Sequence, residues 1–389
     1  MQHFEHLSEV DRARLFFRAP EHFSRSADVA TLSVALGATL YMPATRPTIA
    51  RDLVRQRAKG AMSSVICVED AISDEDVQAG EANAVAQLTE FSDTNADDAA
   101  PLVFIRVRHP EQIASIAGRL GDAVRILSGF VLPKFTDISG AAYLDALEDT
   151  SRSLGHRLLG MPVIESPEVI YRESRADALV GIQRLLAKHR PSVLAVRTGA
   201  TDLCAAYGIR RDRDLTIWDV PVVADVIADV VNILGRADGT GHVVTGPVWE
   251  YFSNHERIFK PLLRQSPFDE RDGPRLRQDL ITRDIDGLIR EVVLDKANGL
   301  TGKTVIHPSH VAAVHALSVV TMEEFSDASD VLGSDMSGGG VRASGYRNKM
   351  NESKPHRAWA ERVLRRAAAF GVVAEDVTYV DVLAAGVNA

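Results

Sequence analysis

Short runs of apolar and β-branched residues recur along this chain, separated by longer segments of mixed polarity. Most of the runs are almost continuously apolar, which is typical of parallel strands buried on both faces. There are eight such runs, at residues 38–44, 63–70, 101–108, 129–134, 160–166, 192–199, 242–248 and 302–308.

The segments between these runs have helical character, most clearly at residues 47–59, 110–120, 137–150, 167–189, 221–235 and 275–298. Pro47, Pro110 and Pro221 lie near predicted helix starts, where a missing backbone N–H costs nothing. Strand and helix alternating eight times predict an α/β fold, specifically a (β/α)8 TIM barrel. A doubly wound open sheet is the alternative. The charged stretch 249–290 is predicted to hold an insertion before the last strand.

The barrel pattern occupies residues 37–320 and leaves a segment at each end. Residues 1–36 are predicted to be an N-terminal extension with one or two short helices. Residues 321–389 are predicted to form a C-terminal lid followed by a helix at about 355–370. The glycine-rich stretch at 334–356 is the lid, because its basic residues make it more than a neutral spacer, and a flexible linker is its other interpretation.

Composition narrows the class of protein. The chain has 389 residues, 46% of them hydrophobic, which is enough for a large core. Its formal net charge of -9 argues against a nucleic-acid partner, which requires clustered positive charge. Cys67 and Cys204 lie far apart in apolar stretches and indicate no disulfide framework. No apolar run approaches the roughly 18 residues of a membrane span. We therefore expect a cytoplasmic protein without a membrane partner.

Charged side chains cluster at the predicted strand ends, where a TIM barrel has its active site. Glu69 and Asp70 end the second strand, Glu165 ends the fifth, and Asp202 follows the sixth, with Arg106 on the third facing them. A single carboxylate of this kind would be explained equally well by a helix cap or a salt bridge. Several converging carboxylates instead predict a site for Mg²⁺, with Mn²⁺ as the alternative, because both ions prefer oxygen ligands.

Seven motifs at these positions resemble, in order, those of the citrate lyase beta-subunit / HpcH–HpaI aldolase superfamily. The resemblance covers about residues 38–320. The stretch 249–290 and the C-terminal tail look more like a divergent carbon–carbon lyase branch often found beside tellurite-resistance genes. The motifs are YMPATRP (41–47), VICVEDAI (65–72), FIRVR (104–108), GFVLPK (129–134), PVIESPEVI (162–170), TGATDLCAAYG (198–208) and GKTVIHPSHV (302–311).

The resemblance implies a Mg²⁺-dependent carbon–carbon lyase. Glu165 and Asp202 would ligate the metal, Arg106 would bind a substrate carboxylate, and Glu69 and Asp70 would lie near the metal's waters and place Arg106. The metal would stabilise the enolate left when the bond breaks. The implied substrate is a small oxo-acid or an acyl-thioester, and the implied assembly is a homo-oligomer, a trimer or a hexamer.

Two other functions stay open. Thr201 replaces an acidic residue of the family motif, which favours a non-catalytic barrel subunit of a biosynthetic or stress-response complex. A phosphoenolpyruvate-type enzyme is the third reading, with Arg342 and Arg347 as phosphate-binding groups.

Three features that suggest other chemistry receive structural interpretations. The stretch 297–304 fits a loose phosphate-loop pattern, but a helix precedes it and a strand follows, the reverse of a true phosphate loop. We expect its Lys303 to pack at the base of the last strand. Lys134 as a Schiff-base lysine would be redundant beside a metal. His307 is either a proton donor or a structural hydrogen-bonding residue, and we favour the second.

Overall fold

A computed structural model describes residues 1–95, 100–252, 285–333 and 340–388, and its centre is a closed barrel of eight parallel strands. Eight strands of the described residues form the barrel and four others form two small antiparallel sheets. In chain order the strands are β1 (Phe16–Arg18), β2 (Ala38–Pro43), β3 (Ser63–Cys67), β4 (Leu102–Arg106), β5 (Leu127–Leu132), β6 (Leu159–Ile164), β7 (Val196–Thr198), β8 (Val244–Trp249), β9 (Lys303–Val305), β10 (Val341–Ala343), β11 (Met350–Glu352) and β12 (Val372–Val373).

The barrel runs in chain order from β2 to β9 and closes because β2 pairs with both β3 and β9. Each of the eight apolar runs overlaps one of these strands, with boundaries that differ by no more than a few residues. The predicted TIM barrel is therefore confirmed, and closure excludes the open-sheet alternative.

The helices that cover the barrel follow the predicted pattern, with some differences. They are α1 (Glu9–Leu15), α2 (Val29–Ala35), α3 (Ile49–Arg57), α4 (Val77–Thr94), α5 (Glu111–Leu120), α6 (Ser139–Leu154), α7 (Pro167–Ile170), α8 (Arg172–Lys188), α9 (Ala200–Ala205), α10 (Pro221–Leu234), α11 (Ile285–Ala297), α12 (Ser309–Ala316), α13 (Met322–Gly333), α14 (Ser353–Phe370) and α15 (Tyr379–Asn388).

One predicted helix is split and another lies only partly within the described residues. The helix predicted at 167–189 is interrupted at Tyr171, which has an extended backbone. Helix α4 follows the acidic turn after β3 and was not among the clearest predicted helices. Residues 275–284, and most of the insertion predicted at 249–290, lie outside the described residues.

Side chains along each barrel strand point alternately inward and outward, which separates a core inside the barrel from a core between the barrel and the helices. Inward side chains such as Val65, Phe104 and Met161 fill the barrel. Outward side chains such as Ile66 and Ile105 pack against the surrounding helices. This two-sided burial explains why the strands read as continuous apolar runs.

The two ends of the chain pack together at the N-terminal ends of the barrel strands. Strand β1 pairs with β12 in antiparallel fashion, and α14 packs on α2. Arg362 donates a hydrogen bond to the Gly235 carbonyl, 2.8 Å away, just beyond the end of α10. Lys296, at the end of α11, forms an ion pair with Glu324 of α13. These contacts place the C-terminal segment opposite the barrel mouth.

The described part of the predicted lid, residues 340–356, packs at the end of the barrel opposite the mouth, and residues 334–339 of that prediction lie outside the described residues. The hairpin of β10 and β11 is fastened to α13, because Lys349 Nζ lies 2.7 Å from both Glu323 and Asp327. The backbone of this hairpin includes positions 342 and 347 and lies at the end of the barrel opposite the strand-end carboxylates. Attachment to α13 is a tertiary contact that the glycine-rich sequence does not indicate.

None of the helices in the described parts of the chain has the length and apolar character needed to cross a membrane.

Candidate metal centre and active site

Six charged side chains meet at the C-terminal ends of the barrel strands. They comprise four carboxylates and two bases, and we call them the mouth cluster: Glu69, Asp70, Arg106, Lys134, Glu165 and Asp202. Parallel strands bring their carboxyl ends to one face, so residues as far apart in sequence as Glu69 and Lys134 come into contact. Five of the six are the site residues predicted from sequence, and Lys134 is the addition.

Arg106, the last residue of β4, lies at the centre of the mouth cluster. Its Nη2 is 2.8 Å from Glu69 and 2.8 Å from Glu165, and 3.4 Å from Asp70. Burial alone lowers the pKa of Arg106, but the surrounding carboxylates, Glu165 foremost, outweigh burial and raise it. The buried Nε has no hydrogen-bond partner among the described residues. The guanidinium therefore stays charged.

Glu165 is buried, being 3% exposed, and follows directly after β6. Burial raises its pKa to about 7; Arg106 opposes this rise, and the neighbouring Asp202 adds to it. Two carboxylates in contact repel each other when both are ionised. A bound cation would relieve that repulsion.

Gly199 allows this approach between β6 and the turn after β7. A Cβ atom at position 199 would lie 2.0 Å from Glu165 Oε2, closer than any real contact. Only glycine fits there, and the following helix α9 then carries Asp202 toward Glu165. The glycine of the TGATD motif thus has a steric function that its position in the sequence did not reveal.

Lys134 lies two residues beyond β5 and adopts a left-handed backbone with φ +47. Its backbone N–H donates to Glu165 Oε1 at 3.0 Å, and its Nζ donates to Glu69 Oε1 at 2.6 Å. A lysine with positive φ is strained, and such strain is concentrated at functional sites. The LPK sequence at a strand end was the signal that would have placed Lys134 in the site.

Arg108 holds the acidic turn that follows β3. Its Nε donates to the Val68 carbonyl at 2.9 Å, and its Nη2 donates to the carbonyls of Glu69 at 3.2 Å and Ile72 at 3.1 Å. These bonds fix the backbone from which the side chains of Glu69 and Asp70 extend.

Three other residues considered from sequence make their contacts with residues outside the mouth cluster. Thr201 donates to Glu250 Oε1 at 3.0 Å, so a carboxylate from beyond β8 neighbours the position where the family motif has an acid. The His307 ring stacks on Phe252 and lies 2.7 Å from the Ser309 hydroxyl. Lys303 is fully buried at the start of β9, as expected. The phosphate-loop pattern that contains it runs from a helix into a strand, the reverse of the order in a true phosphate loop.

The donor set fits a hard divalent cation. Within the described residues, no three His, Cys, Asp or Glu side chains are grouped as ligands of one ion. Two carboxylates with the remaining positions left to water and substrate are what Mg²⁺ usually receives from a protein. A structural zinc site would instead require four nitrogen or sulfur ligands. The desolvated Glu165 beside Asp202 therefore suits Mg²⁺ or Mn²⁺.

Solved structures with the same fold include complexes of two proteins with magnesium. CitE from Mycobacterium tuberculosis, in complex with magnesium, acetoacetate and coenzyme A, is 18% identical, with a TM-score of 0.50 over 88% of this chain and 99% of its own. Haloferax volcanii malate synthase with magnesium and glyoxylate is 15% identical, with a TM-score of 0.50 over 71% of this chain and 73% of its own. At these identities the likeness shows the fold.

Curated protein sequences gave no match to this chain. A family model described as C-C bond lyase of the TIM-Barrel fold matches residues 30–372, which is most of the sequence. Its extent includes every strand of the barrel and every residue of the mouth cluster. The chain therefore belongs to the carbon–carbon bond lyases of the TIM-barrel fold.

Proposed function

We propose that this protein is a Mg²⁺-dependent lyase that cleaves, or by reversal forms, a carbon–carbon bond beside a carboxylate or carbonyl group. The observation that carries the proposal is the excess of carboxylates in the mouth cluster, with buried Glu165 against Asp202. Such an excess is costly unless a cation binds.

The chain's own residues have distinct functions in this proposal. Glu165 and Asp202 hold the metal, and Lys134 fixes Glu165 through its backbone N–H. Arg106 binds the substrate carboxylate, because a guanidinium matches a carboxylate in shape and charge. Glu69 and Asp70 hold Arg106 in place.

A bound Mg²⁺ supplies Lewis-acid stabilisation of the negative charge that develops on the substrate's carbonyl oxygen. The closed barrel beneath the site excludes water from below, since its interior is packed with apolar side chains. Electrostatic interactions at the mouth are therefore stronger than they would be in water.

The substrate class follows from the same groups. A small oxo-acid or an acyl-thioester presents a carbonyl to the metal and, in the first case, a carboxylate to Arg106. The magnesium, acetoacetate and coenzyme A in the CitE complex are consistent with this class. We extend the proposal to a cytoplasmic homo-oligomer, a trimer or a hexamer, which light scattering would test.

Hydrogen exchange tests the reaction without knowledge of the second substrate. A lyase of this kind accelerates loss of protons from the carbon beside the carbonyl. We expect the methyl signal of pyruvate or of acetyl-CoA to decay in D2O when protein and Mg²⁺ are both present. Glu165→Gln should abolish the exchange, whereas Glu148→Gln, a carboxylate paired with His189 away from the mouth, should not.

Exchange of neither compound by the wild-type protein would contradict the lyase. If that protein also failed to bind Mg²⁺, the non-catalytic barrel subunit would be the better account. The replacement of the family's acid by Thr201 is the observation that favours this second function.

A further inference from the structure

Arg197 lies inside the barrel, in the middle of β7. Its guanidinium reaches the hydroxyl of Thr39 on β2 at 3.4 Å, the sulfur of Met161 on β6 at 3.7 Å, and the hydroxyl of Thr304 on β9. Strands β2 and β9 are not neighbours of β7 in the barrel. The side chain therefore crosses the interior, where branched apolar residues are usual.

This arginine is buried without a carboxylate. It is 1% exposed, and the partners it contacts among the described residues are neutral hydroxyls and a thioether. The Tyr41 ring lies 5.4 Å from its guanidinium carbon, and burial raises the pKa of the Tyr41 hydroxyl, which keeps that group neutral. Burial of a charge without an oppositely charged partner destabilises a fold.

The fold pairs its other deeply buried arginines. Arg175 lies 2.8 Å from Asp225 and 2.9 Å from Asp229, and Arg211 forms an ion pair with Glu291. The lack of a carboxylate beside Arg197 is therefore specific to this position and is not shared by the other deeply buried arginines. A buried charge that lowers the stability of the fold and has no carboxylate partner is expected mainly at functional positions.

Arg197 lies directly below the mouth cluster. In the sheet it is paired with Val163, two residues before Glu165, and side chains two residues apart on a strand point the same way. Tyr41 lies between the two levels, since it interacts with Arg197 below and with Arg106 and Glu165 above.

We infer that Arg197 is a positioning residue, a fixed positive charge under the site that favours an anionic substrate and the negative charge developing on it. The inference rests on the proposed function and adds a residue to it. The same charge opposes metal binding, because it repels a cation at Glu165 and Asp202. Anion affinity and metal affinity should therefore respond in opposite directions when the charge is removed.

The test compares Arg197→Met with the wild-type protein by calorimetry. Oxalate serves as the anionic probe, since it is a planar dianion with the shape of an enolised oxo-acid. We expect Arg197→Met to bind oxalate at least about tenfold more weakly in saturating Mg²⁺, and to bind Mg²⁺ alone more tightly. Arg197→Lys keeps the charge and should keep most of the oxalate affinity.

Thermal unfolding gives a readout that does not depend on ligands. Arg197→Met should melt at the same temperature or higher, because a methionine replaces an unpaired buried charge. Arg57→Met is the matched control: Arg57 is paired with Glu5 at the opposite end of the barrel, so this variant should leave both affinities unchanged.

The possible failures are distinguishable. If Arg197→Met lost oxalate affinity, Mg²⁺ affinity and melting temperature together, Arg197 would be structural and the inference overturned. Unchanged oxalate affinity in that variant would also overturn it. A wild-type protein that bound neither Mg²⁺ nor oxalate would contradict the proposed function, while the melting temperatures would still test the burial argument.

Discussion

Two clusters of charged side chains in this barrel contain similar residues and differ in balance. The closed cluster consists of Arg211, Glu291, Asp295 and Lys303, outside the barrel wall between α11, β9 and the loop before α10. Its two acids and two bases are all buried, each 2% exposed or less. The mouth cluster instead has four carboxylates against two bases, and Asp70 and Lys134 are more than half exposed.

The two clusters also differ in how completely their charged groups are paired with one another. In the closed cluster, Lys303 Nζ lies 2.8 Å from Glu291 and 2.7 Å from Asp295, while Trp218 Nε1 donates to Asp295 at 2.9 Å. Its charges are satisfied within the chain. The mouth cluster has more carboxylates than bases, so its negative charge is not balanced within the chain. We infer that the closed cluster stabilises the fold, and the excess of carboxylates at the mouth cluster supports the proposal that it binds a cation.

The largest effect expected from this comparison is on stability. Glu291→Gln leaves the buried bases short of a partner and should lower the free energy of unfolding by about 3–5 kcal/mol. Glu165→Gln, the matched change at the mouth, should cause no loss, because it removes repulsion with Asp202. Urea unfolding measures both. Equal losses in the two variants would contradict the distinction between the clusters.

The free energy of unfolding should also decrease in acid, because the buried rings of His3 and His315 are uncharged at neutral pH. The His3 ring stacks on Phe370 at 4.2 Å and meets the His315 ring at 4.6 Å. Burial lowers the pKa of His3 to about 4 and lowers that of His315 well below its usual value. Below about 6.5 the unfolded chain binds protons that the folded chain does not, so stability is complete above that pH.

The loss should develop as the pH falls from about 6.5 toward 4, and the part due to His3 should amount to at most about 3 kcal/mol. Unfolding by urea at pH 7 and pH 5 measures it. His3→Phe should remove part of the pH dependence. A protein that was equally stable at both pH values would show that these rings are not held neutral.

Metal affinity should also depend on pH, through the mouth cluster alone. Because burial raises the pKa of Glu165 to about 7, a cation must displace a proton below that pH. The affinity for Mg²⁺ should fall by up to about tenfold per pH unit below 7 and should level off above it. Calorimetric titrations at pH 6, 7 and 8 measure this. Constant affinity across the range would exclude Glu165 as the titrating ligand.

The smallest expected effect concerns an exposed pair beside the closed cluster. Arg290 donates two hydrogen bonds of 2.9 Å to Asp219, with the two side chains 30% and 28% exposed. Solvent screens such a pair, so Arg290→Gln should cost less than about 1 kcal/mol. A loss as large as that of Glu291→Gln would mean that burial does not separate the two cases.

The barrel could be predicted from sequence because of a simple physical relation. Strands covered on both faces read as continuous apolar runs, and topology brings their carboxyl ends together. The strand-end positions accordingly predict one shared mouth for Glu69, Asp70, Arg106, Glu165 and Asp202, and the structure brings them together. Their roles as ligand and anchor are proposals that the measurements described here will test.

Other features depend on contacts between distant parts of the chain. Arg197 was visible as a charge in an apolar strand, but the lack of a carboxylate partner is a property of the folded interior. The steric need for Gly199 arises only when Glu165 approaches it. The C-terminal segment packs below the barrel through contacts such as Arg362 to Gly235, which no local pattern encodes.

Titration of the protein with Mg²⁺ by calorimetry tests the central claim most directly. We predict that the wild-type protein binds Mg²⁺, that Glu165→Gln and Asp202→Asn each weaken binding at least about tenfold, and that Glu148→Gln has no effect. Glu165→Gln or Asp202→Asn protein that bound Mg²⁺ with unchanged affinity would contradict the assignment of the mouth cluster as a metal centre.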